Sequence, residues 1–362
     1  MTATVDTYVL GRRPALDGLR GLAVLAVVAG HSLLPFSGNS GTTGVTVFFT
    51  LSGFLITRLL LEEHRATGRV DVRAFYVRRA RRLGPALVLF LAVSAVFLAL
   101  SSADFTPWVA STLQVANFAN LARTPMGGLA HMWSLSMEEQ FYLVWAPLLA
   151  LLLARGRRGL LGPVLIGGTV LSVAIRLGLV LGGASSQRIM FGPDSRADAL
   201  LIGCLVAVYL PHLQSRHTAR LAALGAVVLV ACLPLGPQGA WTLLPVALAT
   251  AAVVLWAVTT DATGPAHALL TWRPLTGLGR ISYGIYLWHL PFALAFATGR
   301  STWTAAALTL VTSLSLATVS YLLVEKPFLR GRGSSRPTLV VDSPVPRQRY
   351  AAHSGSHAAR GR

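Results

Sequence analysis

Ten blocks of almost uninterrupted apolar residues, at about 20–36, 44–61, 84–100, 141–154, 160–181, 199–210, 221–233, 241–258, 281–297 and 303–324, constrain this chain more than any other feature. An apolar helix of about 20 residues crosses the hydrocarbon of a bilayer with its backbone N–H and C=O groups bonded internally. Of the 362 residues, 54% are hydrophobic and 12% charged, with a mean hydropathy of +0.61; soluble domains carry about 25% charged residues. The expected fold class is an all-α integral membrane protein, a bundle of about ten transmembrane helices. Several blocks fall short of a full span and are expected to extend into flanking polar residues such as Glu138 and Asp198. A cleaved signal peptide would explain the first block after Arg12 and Arg13, but no good small-residue cleavage site follows before the second.

The net charge of +18 would suit a nucleic-acid binder, but the arginines are distributed by topology. Arg65, Arg69, Arg73, Arg78, Arg79, Arg81 and Arg82 lie between blocks two and three, Arg155, Arg157 and Arg158 between four and five, and Arg216 and Arg220 between six and seven. The alternate connections are poor in positive charge: 37–40 and 234–239 have none, and 101–137 has only Arg123. The positive-inside rule then predicts a multi-pass protein of the plasma (inner) membrane with both termini in the cytoplasm, the lipid bilayer as a partner and no nucleic acid.

The longest polar stretches are a basic loop at 62–83, an external loop at 101–137 and the end of the chain. The expected organisation is a cytoplasmic segment at 1–15, a membrane domain at 16–328 and a basic cytoplasmic tail at 329–362. That tail is too poor in apolar residues to fold. Cys204 and Cys232 sit far apart in apolar blocks and read as packed core thiols; no metal site is expected. No repeat of 20 to 50 residues is visible, and a transport function stays open.

Polar residues inside lipid-spanning helices usually face a bundle interior or a wet cavity. Arg20 and His31 are eleven helical steps apart, which puts them about 20° apart on one face and about 16.5 Å apart along the axis. His31 suits a general base and Arg20 a phosphate ligand, although a histidine bonded to a neighbouring helix is the duller reading. Asp17 can cap the helix start or neutralise Arg20.

The segment from His131 to Tyr142 (HMWSLSMEEQFY) concentrates polar groups at the edge of the fourth block. Glu138 and Glu139 can be first-turn acids that favour the helix dipole. Alternatively the cluster orients an imidazole or binds a hydroxylated acceptor, with Ser136 in it and Trp133 stacked on a sugar face. Asp194 to Asp198 (DSRAD) reads as an acceptor-side group through Arg196 and Asp198, or as an internal salt bridge. In Phe75 to Pro85 (FYVRRARRLGP), Arg78, Arg79, Arg81 and Arg82 either mark the inner face or cradle phosphate. His289 reads more readily as a structural hydrogen bonder than as chemistry. Pro327, after Glu325 and Lys326, is expected to stop the last helix.

Taken in order, Leu16-Asp-Gly-Leu-Arg-Gly21 with His31, Phe48-Phe-x-Leu-Ser-Gly-Phe-Leu-Ile56, the stretch 75–85, Trp133-Ser-Leu-Ser-x-Glu-Glu-Gln-Phe-Tyr142, Arg196-x-Asp-x-Leu-Leu-x-Gly203, Ile281-Ser-Tyr-x-x-Tyr-Leu-Trp-His289 and Val324-Glu-x-Pro327 resemble the membrane acyltransferase-3 family. The resemblance implies an enzyme moving an acyl group, acetyl by default, from acyl-CoA to a hydroxyl of a glycan, a glycolipid or a glycosylated secondary metabolite. It implies that Arg20 and His31 are the family's functional pair and that Arg79 and Arg82 match its inner-loop arginine motif. Some relatives carry a fused extracytoplasmic esterase-like (SGNH) domain, which this chain is expected to lack.

The expected mechanism holds the CoA phosphates on Arg20, Arg78, Arg79 and Arg82, with no tightly bound cofactor. The thioester approaches His31, which acts as base or takes the acyl group transiently, aligned by Glu138 or Glu139. The rival readings are a transporter or flippase using the same polar cavity and a lipid-binding scaffold.

Overall fold

A computed structural model of the chain describes residues 10, 11, 13–32, 34, 37–213, 217–235, 240–259 and 264–330. The expected segment 1–15 lies largely outside these residues; Arg12, Arg216 and 331–362 of the expected tail lie wholly outside. Among the described residues every regular element is helical.

The first helix, α1 (Pro14–His31), opens with a proline, whose missing N–H costs nothing in a first turn. The second, α2 (Ser40–Thr67), ends at Gly68, whose φ of 74° lets its N–H return to the His64 carbonyl. Asp71 then caps α3 (Val72–Leu100) by accepting the Ala74 N–H at 2.8 Å. Two short helices, α4 (Thr106–Thr112) and α5 (Ala116–Leu121), precede α6 (Met132–Ala154). There follow α7 (Leu161–Leu181), the short α8 (Ser186–Phe191), α9 (Pro193–Tyr209), α10 (Thr218–Cys232) and α11 (Ala240–Thr259). The chain continues through α12 (Pro265–Thr271), α13 (Arg273–Arg280), α14 (Ser282–Phe296) and α15 (Thr302–Ser320) to a π-helical turn, Tyr321–Glu325, and α16 (Lys326–Arg330).

Among the described residues six helical segments are long and apolar enough to cross a membrane: Ser40–Thr67, Val72–Leu100, Gly127–Ala154, Arg158–Leu181, Ala240–Thr259 and Thr302–Phe328. Of the other four expected spans, α9, α10 and α14 have only 17, 15 and 15 residues, and α1 carries Asp17 and Arg20. Their apolar blocks are therefore shorter than a span or interrupted by side chains that tertiary contacts must satisfy. The helices α2 and α11 are mostly buried. The long helix α3 instead exposes Val88, Val96, Phe97 and Leu100, as a lipid-facing helix does.

Three boundaries differ from the sequence expectation. The basic loop at 62–83 is only the turn between Thr67 and Val72, so Arg78, Arg79, Arg81 and Arg82 are helical residues of α3. The fourth block extends through Glu138 as expected and then further: α6 starts at Met132, inside the loop expected at 101–137, and carries the polar cluster from that residue to Tyr142. Pro327 does not end the helix, which continues to Arg330; the proline follows closely on the π-helical turn Tyr321–Glu325.

Close backbone approach fixes α1. A Cβ on Gly18 would meet the Leu270 carbonyl oxygen at 1.8 Å and one on Gly21 the Leu275 oxygen at 2.4 Å, so the glycines flanking Arg20 seat α1 on α12 and α13. Cys204 and Cys232 are buried free thiols.

Candidate active site

Three histidines from three helical segments meet at one end of α1. The last residue of α1, His31, places Nδ1 3.0 Å from the Val27 carbonyl oxygen and 3.3 Å from Nε2 of His289. His289 is completely buried, with Nδ1 2.6 Å from the Tyr286 carbonyl. His131, preceding α6, sets its ring 5.1 Å from that of His289, centroid to centroid. The Tyr286 hydroxyl bonds the His131 carbonyl at 3.1 Å and Ser134 Oγ at 2.5 Å. Both His131 ring nitrogens are buried near the Gly128 and Leu287 backbone without a hydrogen bond of standard geometry.

These contacts assign the tautomers. A carbonyl only accepts, so Nδ1 of His289 carries the proton and its Nε2 presents a lone pair. Nδ1 of His31 then faces two acceptors, Val27 O and His289 Nε2, and must be protonated. The lone pair of His31 is left on Nε2, the nitrogen a base or nucleophile needs. Gly41 of α2 leaves room alongside: a Cβ there would stand 3.6 Å from His31 Cε1.

A second polar group gathers where α1, α3 and α6 come together nearer the start of α1. Arg79 donates from Nη2 to Glu139 Oε1 at 2.7 Å and lies over the Tyr142 ring, 4.0 Å from its centroid. The Tyr142 hydroxyl and Ser52 Oγ each donate to Glu138 at 3.1 Å. Arg20 lies within electrostatic reach of Arg82, Asp17, Glu138 and Tyr142, and its buried Nε makes no hydrogen bond. Arg82 is solvent-accessible yet within reach of Arg79, Asp17, Glu325 and Tyr321.

The two groups stand at the two ends of one face of α1, with the buried Val24 and Val27 between them. Arg20 and His31 lie about 16.5 Å apart on that face, and His131 and Tyr142 repeat the spacing along the α6 axis in the opposite direction. His31 therefore meets His131 and His289 at one end, and Arg20 lies near Tyr142 at the other. The second group gathers the expected Arg20, Arg79, Arg82, Glu138 and Glu139 and leaves His31 at the far end. Glu138 and Glu139, expected to align His31, instead bond Ser52, Tyr142 and Arg79, because they lie about 10.5–12 Å along α6 from His131.

Other expected residues are engaged elsewhere. Arg78 is half exposed and pairs with Glu63 at 2.7 Å, on a different face of α3 from Arg79. Ser136 is buried, donating to the Met132 carbonyl and accepting the Ala116 N–H, which ties α5 to α6. Asp198 is held by both nitrogens of Arg176, at 2.8 and 2.7 Å, and Asp194 by Arg188, so the segment bridges to neighbours rather than internally. Arg196 is buried, bonds Thr46 Oγ1 at 3.3 Å and lies by the rings of Phe49 and Trp133; Trp133 also meets Phe191. Both aromatic contacts of Trp133 are edge-type, and the residue stays part-exposed. Sequence reading missed Tyr142, Tyr286 and Arg176; a charged residue in the middle of an apolar block signals a buried partner, and that signal was present for Arg176.

A cavity of about 280 Å³ lies apart from both groups, lined by Arg58, Glu62, His64, Arg65 and Arg158 with Leu61 and Leu153. Among the described residues no group of three or more His, Cys, Asp or Glu side chains converges as metal ligands.

Residues 13–325, which contain both polar groups, match the family described as acyltransferase domain. The chain belongs to the acyltransferase-3 family. Family relatives include the peptidoglycan O-acetyltransferase OatA of Listeria monocytogenes, 32% identical over 309 residues that cover 77% of this chain and 49% of that protein. The O-acetyltransferase OatA of Staphylococcus aureus is 26% identical over 350 residues, 88% of this chain and 57% of its own. YrhL of Bacillus subtilis is 33% identical over 351 residues, 87% and 54%. The chain spans about half the length of these curated relatives. No solved structure matches it.

Proposed function

We propose that the protein is a membrane O-acyltransferase that moves an acetyl group from acetyl-CoA to a hydroxyl of a cell-envelope glycan. The observation that carries this reading is the placement of the two polar groups on one face of α1: a base-competent imidazole at one end and arginines at the other, separated by about 16.5 Å. That distance suits an extended pantetheine arm between phosphate and thioester. The names of the relatives support a peptidoglycan acceptor.

In this reading Arg20, Arg79 and Arg82 hold the CoA phosphates, Arg79 being pre-oriented by Glu139 and the Tyr142 ring. Nε2 of His31 takes the proton of the acceptor hydroxyl as its oxygen attacks the thioester carbonyl. The C–S bond breaks, and the departing thiolate receives that proton from His31. The chain then crosses the membrane about ten times, with its shorter helices completing the six long spans, and both termini and the α2–α3 turn face the cytoplasm.

The test is transfer from radiolabelled acetyl-CoA to muropeptide acceptors by the protein in liposomes. His31→Ala is expected to lower kcat by about 10²-fold or more, and Arg20→Ala to raise KM for acetyl-CoA. Wild-type transfer by His31→Ala overturns the mechanism. Solute movement without thioester consumption overturns the enzyme reading in favour of transport.

A further inference from the structure

The geometry points to His289 as the positioning residue of His31: its Nε2 accepts the His31 Nδ1–H and holds the ring with the Nε2 lone pair free for the reaction. The inference deepens the reading above and rests on it for the catalytic consequence, though the tautomer itself does not.

His289 is suited to the task on four counts. Its own tautomer is locked from the far side by the Tyr286 carbonyl at 2.6 Å, so its Nε2 accepts. That nitrogen stands 3.3 Å from His31 Nδ1, with the rings 4.9 Å apart and inclined at 63°. The ring is fully buried and flanked by His131 and Tyr286, so its orientation is set by packing. Finally, the carboxylates Glu138 and Glu139 are committed to Ser52, Tyr142 and Arg79, which leaves His289 as the side chain bonded to His31. When His31 Nε2 takes up a proton, the bond from Nδ1–H to His289 becomes charge-assisted and strengthens, stabilising the imidazolium as it forms. A neutral imidazole thus does here what a buried carboxylate does in a serine-hydrolase triad.

The competing account is that Val27 O, 3.0 Å from the same nitrogen, orients His31 alone and His289 merely fills space. Two conservative variants separate these accounts. In His289→Gln the amide reproduces the position of Nε2 and can still accept from His31. In His289→Asn it reproduces the position of Nδ1 and can bond Tyr286 only. Nitrogen NMR of the ¹⁵N-histidine-labelled protein, with the His31 signals assigned by difference against His31→Gln, reads the tautomer without any turnover.

The wild type and His289→Gln are expected to show His31 protonated at Nδ1 and bare at Nε2, and His289→Asn a mixture of tautomers. In the transfer assay His289→Gln should stay within about threefold of wild type, and His289→Asn should lose about 10²-fold in kcat with KM for acetyl-CoA little changed. An unaltered His31 tautomer in His289→Asn overturns the inference, as does equal transfer by the two variants. If no acetyl transfer is seen from the wild type, the proposed function fails and the NMR comparison still decides the role of His289.

Discussion

Gly53 of α2 and Gly203 of α9 face one another across a single helix crossing. A Cβ on Gly53 would come within 1.9 Å of the Leu200 carbonyl oxygen, and one on Gly203 within 2.0 Å of the Thr50 carbonyl oxygen. Two separate sequence motifs, the one around Ser52 and the one running from Arg196, are therefore the two sides of one contact, on which Ser52 and Arg196 ride.

Alanine at either position meets backbone, which cannot swing aside as a side chain can. Gly53→Ala and Gly203→Ala are each expected to cost about 1–3 kcal/mol and to lower the thermal unfolding midpoint in detergent. Gly167→Ala, where a Cβ meets nothing within 4 Å, is expected to be neutral and serves as the control.

Arg79 bonds Glu139 while its guanidinium carbon stands 4.0 Å from the Tyr142 ring centroid, a pairing that suits a broad planar guanidinium better than a compact ammonium. Arg79→Lys is expected to raise KM for acetyl-CoA by about tenfold, roughly 1.4 kcal/mol. Glu139→Gln should produce part of that loss. Additive effects in the double variant would show that the two side chains act independently.

Arg176 and Asp198 form a two-pronged ion pair with side chains only 5% and 2% exposed. Removing one partner strands a buried charge, so Arg176→Ala or Asp198→Ala is expected to cost about 3–5 kcal/mol, whereas the double replacement Arg176→Met with Asp198→Leu costs much less. Thermal unfolding and monodispersity on size-exclusion chromatography check this. A folded Asp198→Asn protein with a selectively raised acceptor KM would instead support a binding role.

The hydrogen bond from Arg188 holds the Asp194 carboxyl below its ordinary range, outside the long spans. A lowered folded-state value means that the stabilisation is present above the unfolded carboxylate pKa and is lost as pH falls through the lower folded value. Both side chains are more than a third exposed, so the effect is at most about 1 kcal/mol. Amide exchange of 186–195 is expected to quicken below the ordinary carboxylate range in wild type and to lose that pH response in Arg188→Gln.

The all-helical class, the rough positions of the six long apolar helices and the order of the polar motifs were legible in the sequence, because hydropathy and helical spacing are local properties. Arg20 and His31 on one face of α1 needed nothing more than the 3.6-residue turn. The edge of α3 was not legible: Arg79 looks like a loop residue until it is seen to satisfy Glu139 inside the bundle, 60 positions away. At α6 the extension to Glu138 was legible, and its reach back to Met132 was not. The same holds for occupancy. Asp198 and Ser136 have the chemistry of an acceptor site, but Arg176 and the Ala116 amide use it up. His31 and His289 are 258 positions apart. The presence of an imidazole in α1 was written in the chain, but the nitrogen that bears its lone pair was decided by tertiary structure, which brings two acceptors to Nδ1.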